Sequence, residues 1–242
     1  MLYQETVNET IAAPYFLQKN AIAHMNVAPL TQVDGSIFCN NRGVAEELVI
    51  IVTPPQQPGK MTVEEYLGRE SQQEVRHEYV NGQVFAMTGG TIPHNDIALN
   101  LYTALRPHLK SRGCRINVSD VKVQVSPASP YYYPDILVSC DSQDLNARRL
   151  IQYPKLVVEV LSPGTEAKDR GEKFTYYQTM PSLQEYVLID SEKVAVECYR
   201  CGEGRMWLYY PYTIGDVLCL KSVEFECAIA LLYEGVRGLM AG

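Results

Sequence analysis

Apolar positions along the chain recur with two distinct periods. Thr62-Val63-Glu64-Glu65 is a capping box, a hydroxyl N-cap followed three positions later by glutamate, and Val63, Tyr66 and Leu67 supply the apolar face of a short helix behind it. Residues 77–80 and 83–87 flank Asn81-Gly82, the dipeptide that most strongly marks a two-residue hairpin. Between 94 and 112, apolar residues return at Ile97, Leu101, Leu105 and Leu109. That i, i+4 stripe predicts an amphipathic helix, with Pro107 expected to kink its last turn. Period two then takes over. Strands are predicted at 114–118, across Val121, Val123 and Val125, and at 136–138 after Pro134-Asp135. Residues 156–161 are apolar at all positions but one, as expected of a strand buried on both faces. Further along, 165–180 predicts a helix, 185–190 a strand, 193–200 and 205–211 a hairpin, and 228–233 a final short helix. Strands outnumber helices and the helices bracket them, which predicts a mixed α/β or α+β architecture.

The segment before residue 60 reads differently. Residues 1–59 hold two basic residues, Lys19 and Arg42, against five acidic ones, with one apolar run at 47–52 that could form a strand. It ends in Thr53-Pro54-Pro55-Gln56-Gln57-Pro58-Gly59, the composition of a linker or extended loop. The expected division is an N-terminal extension with a proline-rich linker, 1–59, and a main domain, 60–242.

Composition narrows the function classes. The chain has 242 residues with a formal net charge of −7 and a pI near 5.2, which excludes a polybasic nucleic-acid coat while leaving a local basic groove open. Arg106, Lys110, Arg112 and Arg115 form one candidate group, and Arg148 with Arg149 a second, although such groups are more often solvated faces. No run of about 18 apolar residues predicts a membrane span. The first 25 residues carry Glu5 and Glu9 and no basic stretch leading into an apolar one, which argues against a signal peptide. Of seven scattered cysteines only Cys198 and Cys201 form a C-x-x-C, with no second pair to complete a zinc site. This usage predicts reduced thiols in a cytoplasm.

The informative residues are acids in apolar surroundings. Glu159 interrupts the 156–161 run, and an ionised carboxylate buried without a partner is very unfavourable. Asp135 opens another apolar strand, and Glu78 lies on the first hairpin. The three could meet at one sheet edge around a hard divalent cation such as Mg²⁺. The bland alternatives are a buried ion pair for Glu159 and a strand-entry turn for Asp135. Beyond the strand break at Ser162-Pro163-Gly164 come Lys168, Asp169, Arg170 and Lys173. Lys173 either forms a surface i, i+4 pair with Asp169 or leans over the strand end to meet charge developing on a phosphoryl oxygen.

These motifs, taken in order, resemble a known pattern. Tyr133-Pro134-Asp135, Glu159 and a following lysine are similar to the PD-(D/E)xK nuclease superfamily. More narrowly, Met61–Leu67, His77-Glu78-Tyr79-Val80-Asn81-Gly82, His94, Val157–Pro163 and Asp169-x-x-x-Lys173 with Tyr177 resemble the Uma family of restriction endonucleases, over roughly residues 60–235. The resemblance implies a restriction-endonuclease-like fold, a central mixed sheet flanked by helices. It implies a Mg²⁺-dependent site, Mn²⁺ being possible, that hydrolyses phosphodiester bonds of DNA. Asp135, Glu159 and Glu78 would be its metal ligands, the Val160 carbonyl a further one, and Lys173 the catalytic lysine beside them. A strict E-x-K would put lysine at 161, where this chain has Leu161, so the lysine comes from the next helix, with Lys168 as the fallback. His94 would serve as a phosphate contact, a support for the ligands or a helix-start residue. A homodimer is the expectation by analogy with nucleases of this fold, the 193–211 hairpin offering a surface. The competing functions are a non-catalytic binding or scaffold protein on the same fold, and a two-carboxylate glycosidase, which the single tryptophan, Trp207, supports little.

Overall fold

The computed structural model describes residues 60–87, 89–236 and 238–239, together with the backbone of two short strands upstream. The chain divides into two units, Met1–Pro55 and Gln56–Gly242. In the first, β1 (Gln32–Val33) and β2 (Ser36–Ile37) pair antiparallel. The strand expected at 47–52 and the proline-rich junction lie outside the described residues.

The second unit opens with α1 (Val63–Glu70), and its capping box is formed. Glu65 N–H donates to Thr62 Oγ1 at 3.2 Å, and Thr62 N–H to Glu65 Oε2 at 2.8 Å. The hairpin of β3 (His77–Val80) and β4 (Gln83–Ala86) turns on Asn81 and Gly82, both left-handed at φ 51° and 89°. A Cβ at Gly82 would stand 2.7 Å from Lys60 Cβ, so the turn demands glycine. Next comes α2 (Ile92–Ser111), capped by Thr91 and starting earlier than its apolar stripe suggests, because Pro93 fits a first helical turn.

Five short strands and one short helix follow: β5 (Arg115–Val118), β6 (Lys122–Gln124), β7 (Tyr131–Tyr132), β8 (Ile136–Ser139), α3 (Ser142–Asn146) and β9 (Leu150–Ile151). Strand β10 (Leu156–Leu161) leads to a helical segment in three parts: α4 (Glu166–Lys168), a π-helical turn at Asp169–Lys173, and α5 (Phe174–Tyr177). The chain closes with β11 (Glu185–Asp190), β12 (Ala195–Cys201), β13 (Trp207–Thr213), β14 (Val217–Leu220), β15 (Phe225–Ala228) and α6 (Ile229–Leu232).

The six-stranded sheet runs β13-β12-β11-β10-β8-β5. Its β10–β11 pair is parallel and the other pairs are antiparallel, so the sheet is mixed. A second sheet runs β4-β3-β7-β6-β9, and β14 and β15 form a separate ladder. Helices α2 and α6 cover one face of the larger sheet: Ile97, Leu101, Leu105, Ile229 and Leu232 join Val158, Val160, Val187 and Ile189 in one core. On the opposite face, Val157, Leu161, Tyr186 and Leu188 meet Tyr177 of α5 and Val80, Val123, Tyr132 and Ile151 of the second sheet. Strand β10 is therefore covered on both sides, as its sequence predicts, and the α+β class stands.

Two expectations are corrected. The helix at 165–180 is not a regular α-helix: its π-helical turn carries Asp169 and Lys173, both buried, toward the sheet. The cysteines are not all free thiols, because Cys114 and Cys140 form a disulfide. The physical reason lies in the register. Arg115 stands opposite Ser139 on antiparallel β5 and β8, so the next pair outward is Cys114 with Cys140, their Cα atoms 4.3 Å apart. The inference of a reducing compartment loses its support. Among the described residues, no helix is long and apolar enough to cross a membrane.

Candidate active site

The site forms where β10 of the large sheet and β3 of the small one face each other beneath the π-helical turn. Register fixes the first pair of acids. Strand β8 pairs with β10 through Val158↔Ile136, and one more step along the antiparallel ladder sets Asp135 opposite Glu159. Main-chain pairing stops there, and Asp135 Oδ2 accepts the Val160 N–H at 2.7 Å in its place. The same oxygen lies 3.2 Å from His94 Nε2, which brings the first turn of α2 to the site. Burial pushes the His94 imidazolium toward losing its proton, but Asp135 outweighs this and holds its pKa above the usual 6.5.

Glu159 is 3% exposed and projects from the face shared with Val157 and Leu161. Its Oε1 receives Lys173 Nζ at 3.1 Å and the Tyr177 hydroxyl at 3.4 Å. Lys173 Nζ also lies 3.1 Å from Glu78 Oε1 and 3.0 Å from Asp169 Oδ1. One ammonium, which has three protons to donate, thus faces three carboxylates. Lys168 reaches Glu78 from the solvent side, its Nζ 2.6 Å from Oε2 and its side chain 30% exposed.

The electrostatics follow from these contacts. Burial alone would raise Glu78, yet Lys173 and then Lys168 hold its carboxyl below the usual range. Burial would lower Lys173, and Glu159, Glu78 and Asp169 overcome this to raise it well above 10.5. Glu159 goes the other way. Its burial exceeds what Lys173 returns, and Asp169, Asp135 and Glu78 add repulsion, so its pKa is raised well above 4.5. The pocket is short of positive charge at Glu159.

All four candidate residues, Glu78, Asp135, Glu159 and Lys173, come together in one neighbourhood, with His94 on Asp135 and Lys168 on Glu78. Three further participants complete it: Asp169, expected beside Lys173 and found buried against it, Tyr177, expected on the same face and found on Glu159, and Tyr186, which had no role assigned from sequence and whose hydroxyl donates to Asp169 O at 3.0 Å. The spacing of 169, 173 and 177 was the available signal, since i and i+4 share a helix face. The basic group at the end of α2 is largely engaged elsewhere. Arg112 pairs with Glu224 at 2.9 Å, Arg115 donates to Asp144 O and Ala147 O at 3.0 and 2.7 Å, and Arg106 bonds the Tyr102 hydroxyl. Arg148 and Arg149 remain exposed. Tyr131, Tyr132 and Tyr133 are buried and serve sheet packing.

Residues 63–230 match Uma2, the family described as "Putative restriction endonuclease". The chain belongs to the Uma2 family. Two cyanobacterial relatives from Synechocystis sp. (strain PCC 6803) accompany it. The uncharacterized protein slr1290 is 41% identical over 188 residues, covering 77% of this chain and 99% of the relative. The uncharacterized protein sll1609 is 34% identical over 150 residues, covering 61% of this chain and 85% of the relative. A crystal structure described as a putative nuclease belonging to DUF820 from Anabaena variabilis superposes with a TM-score of 0.61 at 17% identity, over 72% of this chain and 98% of that one. That likeness supports the restriction-endonuclease-like fold of this Uma2 member.

Whether the Uma2 site suits a divalent cation turns on its donors. Among the described residues no three carboxylate, imidazole or thiolate groups form a ready cage. Mg²⁺ does not require one: it binds through one or two carboxylates and keeps several waters. Asp135 and Glu159, adjacent hard oxygen donors with one of them under-neutralised, fit that requirement.

Proposed function

We propose that this Uma2 protein is a Mg²⁺-dependent DNA endonuclease that hydrolyses phosphodiester bonds, with Asp135 and Glu159 as the metal-holding pair and Glu78 at their side. The observation that carries the reading is the charge imbalance. Four carboxylates, Glu78, Asp135, Glu159 and Asp169, face two ammoniums, Lys168 and Lys173, and one imidazole, His94. A buried cluster this acidic invites a cation. Mg²⁺, or Mn²⁺ in its stead, would supply Lewis acidity toward the scissile phosphate and make the attacking water more acidic.

The chain's own groups divide the remaining work. Lys173 donates to Glu159 and stands within ion-pair distance of Glu78 and Asp169, so its charge holds the three acids together. Lys168 is the more exposed ammonium and already lies at the rim of the pocket, suited to meet a phosphoryl oxygen as charge develops there. His94 locks Asp135 in the orientation that also accepts the Val160 N–H. Hydrophobic residues around Glu159 exclude bulk water, which strengthens each of these interactions.

The test is nicking of supercoiled plasmid with Mg²⁺ or Mn²⁺ by the wild type and by Glu159→Gln. Nicking by the wild type that disappears in the variant is expected. Mg²⁺ binding by the wild type without cleavage of any DNA would instead favour a non-catalytic binding protein on the nuclease fold.

A further inference from the structure

At the mouth of the site stands an aromatic residue that touches the charge arrangement through Lys168. Phe85 of β4 is paired directly with Glu78 of β3, so both side chains project from the same face of the hairpin. Alternation assigns that face: Val80, two residues from Glu78, belongs to the core around Glu159, whereas Tyr79 and Val84 pack on the other side with Tyr66. Glu78 is 6% exposed, while Phe85 beside it is 43% exposed. The hairpin thus drives its acid into the pocket and leaves an aromatic ring at the rim. Lys168 joins the two, with Nζ 2.6 Å from Glu78 Oε2 and 4.8 Å from the Phe85 ring centroid. An acidic, lysine-bearing floor is therefore bordered by an open aromatic side chain, Phe85.

We infer that Phe85 is a stacking platform for the nucleobase adjoining the scissile phosphate, so that the preferred substrate is DNA with an unpaired base, single-stranded or frayed, over intact duplex. The inference rests on the endonuclease reading of the same site and specifies its substrate class. The chemistry is direct. A phosphate that meets Lys168 carries its sugar and base within a few ångströms, and the ring beside Lys168 is exposed there. A base can lie on that ring only when it is out of its own stack, because a paired base presents its edge to a protein and its faces to neighbouring bases. Stacking on an aromatic side chain is sequence-tolerant and contributes substantially to each base held. It also suits a chain of net charge −7, for which phosphate attraction alone gives little affinity.

The experiment uses the full chain, Ca²⁺ in place of Mg²⁺ to suppress cleavage, and a short oligonucleotide carrying 2-aminopurine, single-stranded or annealed. Wild-type protein should bind the single strand more tightly than the duplex and quench its fluorescence. Phe85→Ala should weaken single-strand binding about tenfold and abolish the quenching, with duplex affinity changed less than about twofold. Phe85→Leu retains bulk without the π face and should behave like Phe85→Ala, whereas Phe85→Trp should restore binding. Unchanged single-strand affinity in Phe85→Ala, equal loss on both substrates, or no single-strand binding by the wild type would each overturn the inference. Plasmid nicking by the same preparations keeps the two readings apart: a Phe85→Ala protein that still nicks and still binds single strands sinks the platform alone, and a wild type that stacks the base yet cuts nothing sinks the endonuclease reading.

Discussion

Replacing Lys173 with methionine tests the electrostatic account most severely. Methionine keeps the aliphatic length and removes the ammonium, leaving Glu159, Glu78 and Asp169 buried around an apolar tip. Removing one partner of a buried ion pair costs about 3–5 kcal/mol, because the charge left behind is uncompensated. For a domain of this size each kcal/mol moves the melting temperature by about 2–4 °C, so Lys173→Met should melt about 6–20 °C lower. Lys168→Met should cost far less, since its side chain is 30% exposed and Glu78 retains Lys173. Adding Glu159→Gln to Lys173→Met removes one stranded charge and should recover about 1 kcal/mol or more relative to additivity. Thermal melts of the wild type, the single variants and the double variant at neutral pH give all of these numbers. Equal losses for Lys173→Met and Lys168→Met, or strict additivity in the double variant, would refute the picture of one ammonium organising three acids.

Two more predictions follow from the geometry. The His94 ring should titrate above 6.5 in an NMR experiment, because Asp135 outweighs burial; its contribution to stability is fully present below 6.5 and is lost as pH rises through the folded value. Saturating Mg²⁺ should lower that midpoint by competing for Asp135, and an unmoved His94 titration would remove Asp135 from the metal site. The Cys114–Cys140 bridge spans 26 positions, and closing a loop of that length contributes about 2–4 kcal/mol. Cys114→Ser, or the wild type under dithiothreitol, should melt lower by about 4–16 °C, and no shift would mean that the thiols are free in solution.

How far the sequence revealed this molecule depended on how local each signal was. Glu159 stood out because its neighbours in the strand are apolar, and the Asn81-Gly82 turn because its chemistry is confined to two residues. Two-residue strands such as β7 and β9 cannot display a period, so nothing in their sequence distinguished them from loop. The burial of Asp169 was hidden because an acid four residues before a lysine looks the same on a solvated helix as against a sheet. The disulfide required the register of β5 against β8, which no spacing of cysteines encodes.

The order of the site's residues along the chain bears on how the protein is made. Glu78, Asp135 and Glu159 all precede Lys168 and Lys173, so a ribosome delivers three acids before either ammonium. Until the segment after β10 emerges, closing the two sheets over Glu78 and Glu159 would force like charges together without a counterion. The π-helical turn, which carries Lys173, thus brings the counterion that lets Glu78 and Glu159 be buried together. A chain interrupted before residue 168 would carry these three acids without either ammonium, and the cost of burying unpaired charge would keep it from closing this pocket.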